Sequence, residues 1–363
     1  MAKLIGNQPQ QVPTNGDLGT MAFMDYDVVA PQFLAGGRRN LIINGAMQVA
    51  QRGTSFSGSA SDIYTLDRWV LSIGSGFNFD VTATQSSDAP SGFASSLKIT
   101  PDTVQTPAAT QNGVLVQRLE GQNLQQLAFG TSDAKSITVS FWVKSNKTGT
   151  YTLQALNYDA GVSSVLGYTV DSSDTWEKKI LTFNGDTTNS FDNDNGLSMQ
   201  LFWHFAAGSS DIISPNDSWS ASGALRAVTG QVNFMDSTSN EFYITGVQLE
   251  VGSVATPFEY RSYGEELALC KRYYQANASE NSSRVGINDG YVVNGVTHYG
   301  TRIFPVTMRA APTIVTTLNG SSNFNTGTYI AAGSSVDGFR AGCTASGTGT
   351  GYFLGNWTAD AEL

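Results

Sequence analysis

The chain has two histidines, His204 and His298, so any Ser-His-Asp triad would have to use one of them. His204 lies in the segment LFWHFA and His298 in VTHYG, and both segments are typical of β-strands. Neither is close to the G-x-S-x-G turn that presents a nucleophilic serine. We therefore interpret both histidines as structural or surface-binding residues and not as catalytic ones.

Two pairs of carboxylates are close together in the sequence, Asp62 with Asp67 and Asp192 with Asp194. Glycosidases use carboxylates roughly 5–9 Å apart across a cleft, and sequence spacing alone cannot establish that separation. Asp192 and Asp194 belong to FDNDNG, which resembles part of a calcium loop but lacks the Glu of an EF-hand. The segment predicts a turn, with these two residues as weak candidates for a structural calcium. We expect no other cofactor and no enzymatic activity.

Sugar recognition requires exposed aromatic rings, which stack on the apolar faces of sugars, together with nearby polar side chains. Trp219 is the strongest candidate because its segment, SPNDSWSASG, is rich in turn residues and a core position is not expected there. Trp69 and Trp142 are interpreted instead as parts of the sandwich structure. The other candidates for glycan or receptor contact are Trp203, His204, Tyr299, Tyr352 and Trp357.

The elements that position these side chains are predicted to be mostly β-strands. Charged residues make up 14% of the chain, against roughly 25% in average globular proteins. Gly, Ser, Thr and Asn, which suit tight turns, take their place. Between residues 61 and 260, runs such as SITVSFWVKS alternate with period two, and roughly eight to ten of them predict a β-sandwich or jelly roll. Residues 276–363 return to β signals.

One amphipathic helix is predicted from about Tyr263 to Gln275. Acidic residues lie in its first turn and basic residues in its last turns, which suits the helix dipole. Its apolar face includes Leu267, Cys270 and Tyr274, at spacings typical of a helix face. Such a helix needs a partner surface, and we expect these three residues to pack at a hinge or along the axis of an oligomer.

Residues 1–37 are predicted to form a separate N-terminal arm. Gln, Pro, Asn and Gly dominate its beginning, and several larger apolar residues follow. These are too few to build a core and too many for a solvated linker, so we expect an ordered arm that packs on a partner or on sister chains. The attachment candidates are Leu18, Met21, Phe23 and Tyr26.

Parts of the chain resemble tail-fibre proteins of bacteriophages, especially small fibres of marine phages. The arm is similar to attachment arms with the pattern LGT-x-A-F-x-D-x-D. The resemblance implies an all-β protein with an arm (1–37), a jelly-roll-like β-sandwich (38–260), and one short helix followed by a β-rich C-terminal tip domain (261–363). The other segments that carry it are NLIINGAMQVAQRGT (40–54), PFEYRSYGEELALCKRYY (257–274), FPVTMRAAPT (304–313) and WTADAEL (357–363).

The same resemblance implies a homotrimeric virion protein that is assembled in the host cytoplasm and acts at the host cell surface. Its arm would bind the phage tail or an adaptor or nozzle protein. Another part would bind a host-surface polysaccharide or an outer-membrane component. Three alternatives stay open: a free carbohydrate-binding protein, a polysaccharide depolymerase tailspike, and a capsid or virion decoration protein.

The net charge of −10 and the lack of a basic run argue against partners that are nucleic acids or anionic lipids. No apolar run approaches the ~18 residues of a membrane span. The N-terminus MAKLIGNQPQQ has no apolar stretch of the kind found in secretory signals, so we expect neither a signal peptide nor membrane insertion.

Overall fold

The computed structural model describes residues 38–58, 62–74, 76–222, 224–277, 285–325 and 330–363. Residues 40–363 form one compact unit. The attachment candidates Leu18, Met21, Phe23 and Tyr26 lie outside the described residues. The domain boundaries expected near residues 37 and 260 stay predictions.

The larger unit begins with two extended antiparallel sheets. Six strands form one sheet in the order β1-β4-β5-β15-β7-β10, and seven form the other in the order β13-β9-β8-β11-β6-β3-β2. The two sheets share one hydrophobic core, which confirms the predicted jelly-roll-like β-sandwich. Two short strands, β12 and β14, pair in parallel. In chain order the strands are β1 (Ser55–Gly58), β2 (Ile63–Tyr64), β3 (Trp69–Gly74), β4 (Val81–Ser86), β5 (Ser96–Pro101), β6 (Asn112–Glu120), β7 (Ile137–Ser145), β8 (Gly149–Asn157), β9 (Val162–Val170), β10 (Glu177–Phe183), β11 (Leu197–Ala207), β12 (Ile212–Ile213), β13 (Asn216–Ser222), β14 (Ala227–Val228) and β15 (Phe242–Val251).

The sandwich core follows from the period-two alternation of its strands. In β7, alternate residues from Ile137 to Val143 are buried, whereas Trp142 and Lys144 on the other face are half-buried. Trp69 of β3 and Trp203 of β11 meet in the core, with their ring centroids 5.5 Å apart. The interpretation of both tryptophans as parts of the sandwich is confirmed, Trp69 in its core and Trp142 on the outer face of β7.

The C-terminal part is β-rich, as predicted. The long strand β22 pairs with β16, β17 and β19, and β21 pairs with β18 and β20. A second hydrophobic core lies here and includes Phe339, Phe353 and Trp357. The strands are β16 (Tyr274–Ala276), β17 (Val285–Val292), β18 (Thr297–Ile303), β19 (Thr313–Ser322), β20 (Ile330–Ser335), β21 (Gly338–Thr344) and β22 (Gly349–Asp360).

The helix α1 spans Tyr263–Lys271 and begins with a capping box formed by Ser262 and Glu265. It ends before Gln275 because the chain then continues as β16, which pairs with β22. Cys270 and Tyr274 are buried within this one chain, and Leu267 is half-buried. This corrects the expectation that Cys270 and Tyr274 need an oligomer axis as their partner surface, because the chain itself covers them.

The segments with fibre resemblance in residues 40–363 meet at one place, which we call the junction. Arg52 contacts the carboxylates of Asp360 and Glu362 at 3.1 and 3.3 Å, respectively. Its guanidinium lies 3.6 Å from the ring centroid of Tyr274. Arg309 donates from Nη2 to the carbonyl of Glu362 at 3.0 Å. The junction therefore ties the beginning of the sandwich to the helix region and to the end of the chain.

Asn44 connects the first of these segments to the sandwich and to α1. Its Oδ1 accepts from the backbone N–H groups of Gln48 and Val49, both at 2.9 Å. Its Nδ2 donates to the carbonyls of Val49 and Asp67 at 2.9 and 3.0 Å. The backbone N–H of Asn44 donates to the carboxylate of Glu266 at 2.6 Å. The residue is fully buried and has a φ of 59°, which asparagine tolerates better than most residues.

We expect Asn44→Ala to lower the free energy of unfolding by about 3 kcal/mol or more, because it leaves several buried backbone groups without partners. Urea unfolding measures this loss. Asn294→Ala is a suitable control, since Asn294 is the exposed first residue of another Asn-Gly turn. The control should change stability by less than about 0.5 kcal/mol. Equal effects of the two substitutions would contradict the role assigned to Asn44.

Candidate functional site

A groove of about 800 Å³ lies on the outer face of the seven-stranded sheet, and we call it the sheet groove. It crosses β8, β11, β6 and β3, and the usual strand spacing makes that distance roughly 14 Å. Its volume is within the range of ligand sites in proteins. Its lining residues are Asp62, Ser72, Arg118, Leu156, Tyr158, Gly161, Leu197, Gln200, Phe202, Ala224, Leu225 and Leu363.

The floor of the sheet groove is made by residues that point away from the sandwich core. Gln200 of β11 lies between Leu156 of β8 and Arg118 of β6, to which it is paired across the sheet. Phe202, two residues further along β11, belongs with Leu156 to a small apolar cluster on this face. The floor thus combines apolar surface with a few polar groups, a composition typical of binding sites.

Gln200 is a floor residue whose side chain can form hydrogen bonds with a ligand. Its side chain is 7% exposed and lines the groove. A side-chain amide can both donate to and accept from a ligand hydroxyl in the groove.

One end of the sheet groove is formed by Arg118 and Asp62, which make an ion pair of 3.0 Å. Arg118 also donates to the hydroxyl of Tyr64 at 3.1 Å and to the carbonyl of Leu363 at 2.6 Å. Burial disfavours the charge of Arg118, but Tyr64 and Asp62 outweigh this effect and its pKa is raised. Arg118 is therefore a charged and firmly oriented hydrogen-bond donor.

The other end carries an exposed aromatic ring. Tyr158 lies in the turn between β8 and β9 and is 55% exposed. Its backbone N–H donates to the carbonyl of Ser198 at 2.8 Å, which holds the turn against β11. Nearby, the wall at Ala224 is fixed because its carbonyl accepts from the Gln154 amide at 2.9 Å. Tyr158 thus presents a ring beside a groove with polar groups.

Most of the rings predicted to bind a glycan are buried. Trp203 and His204 have no exposed surface, and Trp219 and Trp357 are 8% exposed. Trp219 belongs to β13 and donates from its indole to the carbonyl of Asn184 at 2.6 Å. The predictions for these residues are wrong, because a buried ring offers no face to a sugar.

Tyr299 and Tyr352 are the predicted contact residues that remain exposed, at 46% and 42%. Tyr299 lies on β18 and Tyr352 on β22, which belong to different sheets. The structure does not bring either of them to the sheet groove. Their role in receptor binding stays a prediction.

The candidate carboxylates do not form a paired site facing a cleft. Asp67 is fully buried and accepts hydrogen bonds of 2.6 Å from the backbone N–H and the side-chain amide of Gln51. Burial raises the pKa of Asp67. It therefore cannot act with Asp62 across the groove. Asp192 and Asp194 lie in an exposed turn. In the part of the chain that the structure describes, no three His, Cys, Asp or Glu side chains are grouped to hold a metal ion.

A second aromatic face lies on the outside of the six-stranded sheet. The rings of Trp176 and Tyr243 pack edge to face there, and the Lys144 ammonium is 4.3 Å from the Tyr243 ring centroid. Lys144 also pairs with Asp88, which accepts from the Trp176 indole at 3.1 Å. Because these polar groups already bind one another, this face is a weaker ligand site than the sheet groove.

Tyr158, Gln200 and Arg118 were not predicted from the sequence. The period-two pattern of LSMQLFWHFA places Gln200 on the face opposite Trp203, so the alternation could have indicated that Gln200 points outward. No comparable signal marks Tyr158, which lies in a short turn. A segment distant in the sequence lies at His204, where Gln231 donates to the His204 carbonyl at 3.1 Å. The position of that segment decides which part of the outer face stays open.

No protein-family model and no curated protein matches the chain. Among solved structures, the enzymatically active domain of bacteriophage CBA120 tailspike protein 4 is 16% identical, with a TM-score of 0.30 over 58% of this chain and 21% of that one. A protein of Bacteroides thetaiotaomicron described as sugar-binding is 10% identical, with a TM-score of 0.34 over 59% of this chain and 100% of that one.

The carbohydrate-binding module TmCBM61, solved with β-1,4-galactotriose, is 11% identical, with a TM-score of 0.30 over 59% of this chain and 99% of that one. The chain thus spans about a fifth of the tailspike chain and nearly all of the other two. Similarities at this level assign no function. Within the described ranges, none of the helices has both the length and the apolar character needed to span a membrane.

Burial of His204 generates a pH prediction. Burial lowers the pKa of His204 to about 3, below the value of about 6.5 expected in the unfolded chain. Protonation therefore favours unfolding, and the stabilisation is complete above pH 6.5 and is lost as the pH falls towards 3. We expect His204 to account for a loss of about 1.5 kcal/mol between pH 6.5 and 5.

Chemical denaturation at a series of pH values measures this loss, and His204→Gln should flatten the pH dependence between pH 6.5 and 5. His298→Gln is the matched control, because His298 is only partly buried. It should leave the slope as in the wild type. A wild-type slope in the His204→Gln variant would contradict the prediction.

Proposed function

We propose that this protein is a phage tail-fibre-like virion protein that binds a host-surface glycan in the sheet groove. The observation that carries glycan binding is the combination, in one groove, of an exposed ring, Tyr158, with the amide of Gln200 and the oriented guanidinium of Arg118. Sugars present both apolar ring faces and hydroxyl groups. A groove that offers aromatic and hydrogen-bonding groups together suits such a ligand.

The virion assignment is supported by the fibre-like segments and by the place where they meet. Arg52, Tyr274, Arg309 and Glu362 come from four different segments of this kind and contact one another at the junction. A shared role in holding these segments together explains why residues so distant in the sequence all belong to fibre-like segments. In this proposal the protein is a homotrimer that attaches to the tail through residues 1–37, and it has no enzymatic activity.

Trimerisation would also strengthen glycan binding. One shallow groove with few polar groups binds a sugar weakly, but several grooves on one particle raise the overall affinity through effective concentration. A free carbohydrate-binding protein would act as a monomer with one saturable site. A depolymerase would lower the viscosity of its polysaccharide, whereas the protein proposed here would bind the polysaccharide and leave the viscosity unchanged.

We expect Tyr158→Ala to weaken glycan binding about tenfold, because loss of one stacked ring removes roughly 1–1.5 kcal/mol. A panel of immobilised bacterial surface polysaccharides first identifies the one that the wild type binds best. The affinities of the variants are then measured with that polysaccharide. Tyr263→Ala is the matched control, since Tyr263 is 56% exposed, at the start of α1, and Tyr158 is 55% exposed.

Gln200→Leu provides an independent check of the same groove. It removes the hydrogen-bonding amide and retains an apolar side chain of similar size, so the fold should be preserved while binding falls. If the wild type binds no polysaccharide, or if Tyr158→Ala and Gln200→Leu bind as the wild type does, the sheet groove is not the glycan site.

The attachment part of the proposal predicts the behaviour of a chain that lacks residues 1–37. This variant should fold, because residues 40–363 contain two hydrophobic cores of their own, but it should not be incorporated into phage particles. Incorporation is measured by immunoblotting of purified virions, and folding and native mass by circular dichroism and light scattering. Normal incorporation of the shortened chain would overturn the attachment role, and a monomeric full-length protein would overturn the trimer.

A further inference from the structure

The ion pair at one end of the sheet groove sets the charge that a ligand meets there. Among the described residues that line the groove, Arg118 is the one cation and Asp62 is the one acidic side chain. Nη2 of Arg118 donates to Oδ2 of Asp62 at 3.0 Å. Because the two charges offset each other, these lining residues leave no unpaired cation for an anionic group of a ligand.

The backbone before β2 places Asp62 at this end of the groove. Asp62 immediately precedes β2, the edge strand of the seven-stranded sheet. Its φ of 57° lies in the left-handed region, which Asp and Asn adopt more readily than most residues. The side chain of Asp62 is 47% exposed, whereas that of Arg118 is 12% exposed. The carboxylate is therefore the more accessible of the two charges.

The other partners of Arg118 fix its guanidinium in place. Nη1 donates to the hydroxyl of Tyr64 at 3.1 Å and to the carbonyl of Leu363 at 2.6 Å. Burial raises the pKa of Tyr64, so its phenol is an uncharged partner at neutral pH. Asp62 is therefore the acidic side chain that neutralises Arg118 in the groove.

The rest of the groove also disfavours a negatively charged ligand. Its floor includes the apolar side chains of Leu156 and Phe202, which cannot replace the water that a carboxylate or sulfate group loses on binding. The net charge of −10 repels acidic polymers from the chain as a whole. An uncharged sugar avoids both penalties, and the amide of Gln200 can bond to its hydroxyls.

We propose that the sheet groove selects uncharged glycans and that Asp62 is the residue that excludes acidic ones. This inference rests on the proposed binding of a glycan in that groove, and it adds the class of sugar. If the carboxylate of Asp62 were removed, the charge of Arg118 would attract a carboxylate or sulfate group. Asp62 is thus a specificity-determining residue of the groove.

Asp62→Asn tests this role, because asparagine has nearly the same size and tolerates the same φ. The probe is the polysaccharide that the wild type binds best on the panel of bacterial surface polysaccharides, which we expect to be uncharged. It is derivatised to the same degree with carboxymethyl groups or with hydroxyethyl groups. These two ethers are similar in size, but only the first is charged.

The readout is the ratio of the affinities for the hydroxyethyl and carboxymethyl forms at low salt. We expect the wild type to prefer the hydroxyethyl form about tenfold or more, and Asp62→Asn to reduce that ratio about fivefold or more. Gln200→Leu should weaken the binding of both forms, which locates the binding in the sheet groove.

Asp236→Asn is the matched control for the change in net charge. Asp236 pairs with Lys147, its side chain is 43% exposed, and it does not line the sheet groove. This variant should keep the wild-type ratio.

The double variant Asp62→Asn/Arg118→Gln tests whether the gain depends on the charge of Arg118. Without the guanidinium, the preference for the hydroxyethyl form should return. Circular dichroism checks the fold of each variant. If the double variant does not fold, the salt dependence decides, because the ratios of the wild type and of Asp62→Asn should converge as added salt screens the charges.

Several results would overturn the inference and leave glycan binding in the groove intact. One is a wild type that binds the two forms equally, and another is a ratio that Asp62→Asn leaves unchanged or that Asp236→Asn changes as much. A third is an acidic polysaccharide as the best ligand on the panel, with its binding lost in Gln200→Leu. If no polysaccharide on the panel binds, the proposed function and this inference are overturned together.

Discussion

The arrangement of residues 40–363 depends on the ion pairs made by the buried carboxylate of Glu362. Its side chain is 3% exposed and pairs with Arg52 and with Arg68, which is itself 1% exposed. Burial alone would suppress the charge of Arg68, but Glu362 reverses this effect and the pKa of Arg68 is raised. Breaking one member of a buried ion pair costs about 3–5 kcal/mol. The end of the chain therefore has one well-matched position against the sandwich.

The same C-terminal residues connect the junction to the sheet groove. Leu363 lines the groove, and its carbonyl accepts from Arg118, which forms one end of the site. Tyr64 donates to the same carbonyl at 2.8 Å. The contacts that hold the end of the chain in place therefore also shape the sheet groove.

The sandwich and the helix were predictable because they depend on local patterns. The alternation from Ile137 to Val143 indicated β7, and the acidic first turn indicated where α1 begins. The contact residues were much less predictable. Turn-rich composition suggested that Trp219 is exposed, but its indole is buried and bonds to the carbonyl of Asn184, which is 35 positions away in the sequence. The fibre-like segments indicated that Arg52 matters, but not that it binds Glu362.

By itself, the sequence determined which residues share a strand face and which of those faces is apolar, because the side-chain period is a property of the local backbone. In β11 this separates Trp203 from Gln200, Phe202 and His204. Only the tertiary structure decided that His204 is covered while Gln200 lines a groove. The reason is that exposure depends on the segments that pack over each residue, and those come from distant parts of the chain.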